Sequence, residues 1–277
     1  MTGWLLQHQA LQFYLWLAAF GLVALWESFA PLRQLDTGTG LRWGANLGFA
    51  GLDMVVGRIC VPVTSIATAL WAEQRGFGLL NQLPVPFWLA CVASVVALDL
   101  GNYAGHRLFH AVPILWRCHK IHHSDLELDC STALRHHPLE YLVVVGITLA
   151  LVAALGAPPL AVIAWATLDL VLAAFNHGNV ALPQTLERAL RRVLVTPDMH
   201  RIHHSARATE GNRNFANIFS WWDRIFASYQ PEPELGHKRM ELGLAELRTA
   251  DDVTFLRLLA LPFRSSRAIP ARSFDLN

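Results

Sequence analysis

Hydrophobic and polar positions follow one another along this chain in long blocks rather than at a short period. Four blocks are apolar over lengths near the roughly 20 residues that a bilayer-crossing helix needs: residues 11–26, 47–71, 86–102 and 141–175. The fourth is broken by Gly156-Ala157-Pro158-Pro159, where glycine suits a helix end and proline a helix start. That break turns one block into a hairpin, so the pattern predicts about five spans. Asp53, Arg58, Asp99 and Asp169 interrupt the blocks. A charge inside a span costs roughly 2.5–3.5 kcal/mol on insertion scales, so all four are expected to face the bundle interior. Near the C-terminus, residues 246–263 carry Val253, Leu256, Leu259, Leu261 and Phe263 on one apolar side. Such a segment fits the membrane interface or packing on a polar cap equally well.

The expected architecture is all-α, a multi-span transmembrane helical bundle of about 4–5 spans with a cytosolic His-rich helical cap. Residues 1–93 supply N-terminal transmembrane helices. Residues 94–230 form a catalytic unit that includes the hairpin at 141–176, and 231–277 form a tail. No internal repeat, low-complexity tract or linker divides the chain.

Composition agrees with this pattern. The chain is 53% hydrophobic and 16% charged, against about 25% charged in soluble domains. Disorder is excluded because it needs low hydrophobicity and high charge, and an ordinary soluble enzyme is disfavoured. The net charge of +1 gives no field for nucleic acid. The first ten residues hold no Lys or Arg, unlike a secretory leader, so the first block reads as a retained anchor. Of the 22 basic residues only Arg33, Arg42, Arg58 and Arg75 precede position 104. Basic residues mark the cytoplasmic side. Five spans with an external N-terminus put the basic polar segments there, in a cell inner membrane or its equivalent. Cys60, Cys91, Cys118 and Cys130 form no CxxC pair and read as reduced thiols.

The chemistry lies in the histidines. Eight of the 13 fall into three groups: His106 and His110; His119, His122 and His123; His200, His203 and His204. Residues three and four apart share a helix face, so each group presents two or three imidazoles together. The HxxHH pattern occurs twice. Asp99, Tyr103, His106 and His110 share one helical stripe that extends the third block. Imidazole suits zinc, copper, iron and nickel, and eight clustered histidines exceed the three or four ligands of one zinc. The spacing therefore points to two metal ions beside the membrane. Two other readings stay open: a membrane protein that binds metal ions or haem, and a zinc-dependent membrane hydrolase, although the HExxH of the latter is absent.

The order HxxxH, HxxHH, HxxHH in a multi-span chain resembles the fatty acid hydroxylase superfamily, sterol desaturases among its members. Further segments carry the resemblance: Asp99 to Arg107 around the first group, Arg135-His136-His137-Pro138-Leu139-Glu140, Pro197-Asp198-Met199 before the third group, and Asn214-Phe215-Ala216-Asn217 followed by Trp222-Asp223-Arg224-Ile225-Phe226. It covers residues 94–229. Phe215, Ala216 and Ala227 depart from the commoner Tyr and Gly residues. The resemblance implies a non-haem di-iron oxygenase, with zinc possible as purified, that uses O2 to hydroxylate or desaturate a lipid such as a sterol or fatty acyl chain. It implies metal ligation by the eight grouped histidines, by His177 and, less directly, by His137, whereas His136 is left out. Asp99, Glu140, Asp198 and Asp223 become candidates to orient the imidazoles. No flavin, nicotinamide or iron–sulfur motif is present, so electrons must come from a separate ferredoxin, cytochrome or reductase. Lipid substrate would arrive from the bilayer.

Overall fold

The computed structural model describes residues 2–35, 38–61 and 63–264; residues 265–277, the end of the expected tail, lie outside the described residues. Among the described residues twelve α-helices follow in order: α1 Thr2–Phe29, α2 Thr39–Cys60, α3 Ser65–Arg75, α4 Phe87–Ala111, α5 Pro113–His119, α6 Pro138–Leu155, α7 Pro159–Asn176, α8 Gln184–Leu190, α9 Pro197–His203, α10 Ala208–Gly211, α11 Trp221–Ile225 and α12 Phe255–Leu259. Short 3-10 turns span Leu79–Asn81, His122–Ser124, Cys130–Leu134 and Leu261–Phe263. Among the described residues there is no strand, only isolated bridges such as Leu194 with Phe219.

Among the described residues five segments are long and apolar enough to cross a membrane: Ala10–Phe29, Thr39–Asn81, Phe87–Ala111, Pro138–Leu155 and Pro159–Asn176. Large apolar side chains such as Leu22, Phe29, Met54, Ile59 and Trp88 point outward from them, as lipid-facing residues do. The helical hairpin forms where expected. Gly156 caps α6 in the left-handed conformation at φ 62°, which glycine adopts without a Cβ penalty, and Pro159 opens α7.

Two expectations are corrected. The second block is two helices rather than one. Val61 sits at φ −122°, ψ 82° after α2; it precedes a proline in the sequence, which disfavours helical geometry at that position. Arg58 is exposed rather than turned inward. It lies in the last turn of α2, where the helix dipole favours a cation and a long side chain reaches the interface. Asp53 and Asp99 are buried as expected, and Asp169 is partly buried.

The bundle packs α1 on α7, α4 on α6 and α7, and α3 on α6 and α7. Its centre holds Leu98, Val152, Val162, Trp165 and Ile218. At the end where α4 and α7 leave this core, α5, the His122–Ser124 turn and α9 gather into a polar cap. The tail divides its apolar residues: Val253 and Leu258 bury against Phe49 and Ile121, while Leu256 and Phe263 stay exposed.

Candidate metal centre

Each histidine reaches the cap from a short, well-anchored element. α4 is fixed to the cap at Asp99, whose Oδ2 accepts Trp222 Nε1–H at 2.8 Å and Phe219 N–H at 3.1 Å; two turns later it presents His106 and His110. The turn carrying His122 and His123 is gripped from behind by buried Arg135, whose Nε donates to Ile121 O at 3.0 Å and whose Nη2 donates to Ser124 Oγ at 3.1 Å. Beneath it Arg42 donates to Asp125 and to Asp129, at 2.7 Å each, and Arg135 Nη1 donates to Asn46 Oδ1 at 2.8 Å. These charges are buried, and such groups hold position only when paired and hydrogen-bonded. α9 starts at Pro197 behind Thr196, whose hydroxyl accepts Met199 N–H, so His200, His203 and His204 follow from a fixed first turn. His177 caps the C-terminus of α7.

Among the described residues nine imidazoles collect into two groups. One holds His106, His110, His119, His123 and His203; the other holds His122, His177, His200 and His204; within each, the ligand nitrogens lie within 4.8 Å of one another. Opposite nitrogens on one ion at a bond length of about 2.1 Å lie about 4.2 Å apart, close to this spread. The pairs four residues apart (106 and 110, 119 and 123, 200 and 204) stay together, whereas His122 and His203 cross to the opposite group. Both HxxHH segments therefore serve both groups.

The nitrogens facing inward are lone pairs. His106 Nδ1 lies 2.7 Å from Phe215 O, His203 Nδ1 2.8 Å from Arg213 O, and His177 Nδ1 2.7 Å from Ala173 O. A carbonyl only accepts, so each Nδ1 carries the proton, and Nε2 of the neutral ring is bare. His119 Nδ1 donates likewise to Glu140 Oε1 at 2.7 Å. Yet Nε2 of His106 is 3.0 Å from that of His203 and 3.1 Å from that of His119, and Nε2 of His177 is 3.0 Å from that of His200. For His106 with His119 and His203, bare nitrogens at that separation share no proton and repel. A cation between them removes the conflict, so the donor set fits a metal ion. Facing nitrogens this close leave no room for a haem macrocycle.

Burial first, and then neighbouring imidazoles, push the pKa of His122, His123, His200, His203 and His204 well below the ordinary value. Burial lowers His177 to about 3. These rings are neutral near pH 7, as metal ligation requires.

The remaining candidates are placed differently. His137 joins neither group: its Nδ1 accepts Leu139 N–H at 3.1 Å and its Nε2 lies 3.3 Å from Leu259 O. It caps α6 and ties down the tail, so both nitrogens are committed elsewhere. Its neighbour His136 comes closer, stacking on His122 at 4.7 Å between centroids and sharing Glu140 Oε1 at 3.1 Å. Of the four carboxylates, Glu140 alone bonds a grouped histidine. Asp223 acts one step removed, accepting Phe215 N–H at 2.8 Å and Ala216 N–H at 3.1 Å, and so aims the Phe215 carbonyl at His106. Asp99 holds Trp222, and Asp198 pairs with Arg201 at 2.5 Å; neither touches a grouped histidine. The sequence reading missed Asn212, whose Oδ1 is 3.2 Å from His110 Nδ1, and Trp116, whose ring packs 5.0 Å from His110 and 5.5 Å from His123. Neither position carries a spacing signal.

Comparison with known proteins gives a consistent setting. The family model described as fatty acid hydroxylase matches residues 91–228. Ornithine lipid hydroxylase OlsE of Rhizobium tropici is 26% identical over 235 residues, which cover 79% of this chain and 66% of that protein. Alkylglycerol monooxygenase of Homo sapiens is 29% identical over 165 residues, 60% of this chain and 35% of that one. Very-long-chain aldehyde decarbonylase GL1-8 of Oryza sativa subsp. japonica is 25% identical over 181 residues, 63% of this chain and 66% of that one. The chain thus spans only part of each of these relatives. No solved structure matches it.

Proposed function

The chain belongs to the fatty acid hydroxylase family, and from that premise we propose that it is a membrane-bound lipid oxygenase. In this reading two iron ions occupy the two histidine groups, and the enzyme hydroxylates or desaturates a lipid with O2 and external electrons. The observation that carries it is the convergence of bare histidine nitrogens into two buried groups at the end of apolar spans. All-nitrogen ligation suits iron, and zinc can take its place during purification.

When bound, the metal pair supplies the redox chemistry by which O2 is reduced and a C–H bond oxidised. The chain's own residues do the rest. Glu140 and the carbonyls of Phe215, Arg213 and Ala173 hold the imidazole tautomers and ring orientations, as partners beyond the ligands do at metal sites generally. The Phe215 ring, 5.0–5.7 Å from His106, His110 and His203, and the Trp116 ring, 5.0 Å from His110 and 5.5 Å from His123, keep water from the first group. α4 runs directly from the bilayer into this group, so an apolar chain can approach laterally. Hydroxylation consumes O2, two electrons and two protons and releases water, and desaturation releases two waters. The electrons come from a separate ferredoxin, cytochrome or reductase. The excess of Lys and Arg in the cap supports a cytoplasmic location for this site.

Expression of the wild-type chain and of His203→Ala in one host, with lipid mass spectrometry under 18O2, tests the reading. We expect a lipid that gains labelled oxygen, or loses two hydrogens, with the wild type alone. Identical lipid profiles and O2 uptake would overturn it. A cysteine placed at exposed Thr209 should resist impermeant external labelling; labelling there would reverse the topology.

A further inference from the structure

The outer surface of the cap carries arginines and large apolar side chains side by side. α8 and the residues after it expose Arg188 and Arg192, with Leu186 and Val193 on either side of them in sequence at 44% and 48% exposure. α11 and the next residue expose Arg224, with Ile225 at 63% and Phe226 at 44%. These two pieces form one surface. Ser220 N–H donates to Val193 O at 3.0 Å, Leu194 bridges Phe219, and Arg224 Nη2 donates to Arg191 O at 2.7 Å.

The charge on this surface is only partly compensated. Arg191 pairs with Glu187 at 2.6 Å and with Glu232 at 3.7 Å, whereas among the described residues Arg188, Arg192 and Arg224 form no ion pair, and Arg224 acts on the buried carboxylate of Asp223 only through its field. Arg224 is braced instead by the Tyr229 ring at 4.1 Å and by Ser220 O at 3.0 Å. The surface is also continuous with the bundle. Phe226 stacks on Tyr103 of α4 at 5.4 Å, one turn before His106 on a helix long and apolar enough to span.

We propose that this face docks on the headgroup layer of an anionic bilayer, with Arg188, Arg192 and Arg224 on lipid phosphates and Leu186, Val193, Ile225 and Phe226 in the acyl boundary. Basic residues near such a surface gain about 1 kcal/mol each, and an interfacial element combines cations with immersed apolar side chains. An acidic protein partner would account for the arginines. It would not account for four large exposed apolar residues, one of which, Phe226, packs on α4. The contact also bears on the histidines, because Asp223 of α11 holds the Phe215 backbone whose carbonyl orients His106.

The test uses the full chain in dodecyl maltoside, titrated with phosphatidylglycerol or phosphatidylcholine, with adducts counted by native mass spectrometry. The wild type should prefer phosphatidylglycerol. Arg188→Gln with Arg192→Gln should cut that preference by about fivefold per arginine, and high salt should abolish it. Arg207→Gln, an exposed arginine that pairs with Glu234, should leave it unchanged. Melting behaviour equal to wild type verifies that the double variant folds. No preference in the wild type, or an undiminished one in the double variant, would overturn the proposal. So would a double variant that keeps its lipid preference but loses binding of a plant-type [2Fe–2S] ferredoxin, since the surface would then be a protein-docking site.

Discussion

Replacing Glu140 by glutamine separates the two histidine groups. Glu140 Oε1 is buried and accepts from His119 Nδ1 at 2.7 Å and from His136 Nδ1 at 3.1 Å. Glutamine keeps the length and can still accept one N–H, so the packing survives while the charge is lost. His119 then becomes a weaker donor to the metal in the group of His106, His110, His123 and His203. Loss of such a partner typically costs 10–100-fold in metal affinity, which is about 1.4–2.7 kcal/mol. The group of His122, His177, His200 and His204 holds no bond to this carboxylate. Dialysis of the reconstituted protein against graded chelator, with metal content read by plasma mass spectrometry, should show Glu140→Gln releasing one ion at 10–100-fold lower chelator and the second as the wild type does. His136→Gln leaves the Glu140–His119 bond in place and should follow the wild-type curve. Release of both ions from Glu140→Gln at wild-type chelator concentrations, or early loss of both together, would refute the reasoning.

Three more expectations follow from the same geometry. His122→Ala and His203→Ala should each retain about one of the two ions per chain yet abolish O2-dependent product; full metal content in either would remove that residue from the ligand set. For metal-stripped protein, His177 titrates near 3 when folded and near 6.5 when unfolded. The unfolded chain therefore takes up the proton first, and stability present above pH 6.5 is lost as pH falls from 6.5 toward 3. His177 alone should cost about 1.4 kcal/mol at pH 5.5, seen as a falling melting temperature; a flat melting temperature between pH 7.5 and 5.5 would contradict the buried neutral rings. Gly78→Ala should destabilise by about 3 kcal/mol, because at φ 91° its Cβ would overlap the backbone of Gly156 and Ala153 at the hairpin tip. Gly105→Ala, inside α4 where the added methyl meets nothing within 4 Å, should be neutral or raise the melting temperature slightly in the same assay, since alanine is favoured over glycine in a helix interior.

Hydropathy made the spans legible because lipid imposes one constraint over some twenty residues at a time. It failed where a local effect won, at the break after Cys60 and at Arg58. The histidines could be read for a similar reason: positions four apart share a face, so the pairs 106/110, 119/123 and 200/204 had to stay together. The middle member of each HxxHH was not legible. His122 and His203 are set by how one segment docks on the other, and local spacing does not record that. The adjacent His136 and His137 show the same limit. Pro138 starts α6, which commits the ring of His137 to the helix cap and leaves His136 to turn toward Glu140, four residues on. The groups that fix the tautomers were the least visible. Most are backbone carbonyls, of Phe215, Arg213 and Ala173, and a carbonyl has no residue identity to read. The aim of the Phe215 carbonyl depends on a distant side chain, Asp223, just as the turn carrying His122 and His123 depends on Arg135, with Arg42 beneath it. Because each HxxHH feeds both groups, a shift of either segment disturbs two ion sites at once. The buried ion pairs beneath the His122–Ser124 turn therefore belong to the architecture of the metal centre as much as the ligands do, although no spacing rule in the sequence singles them out.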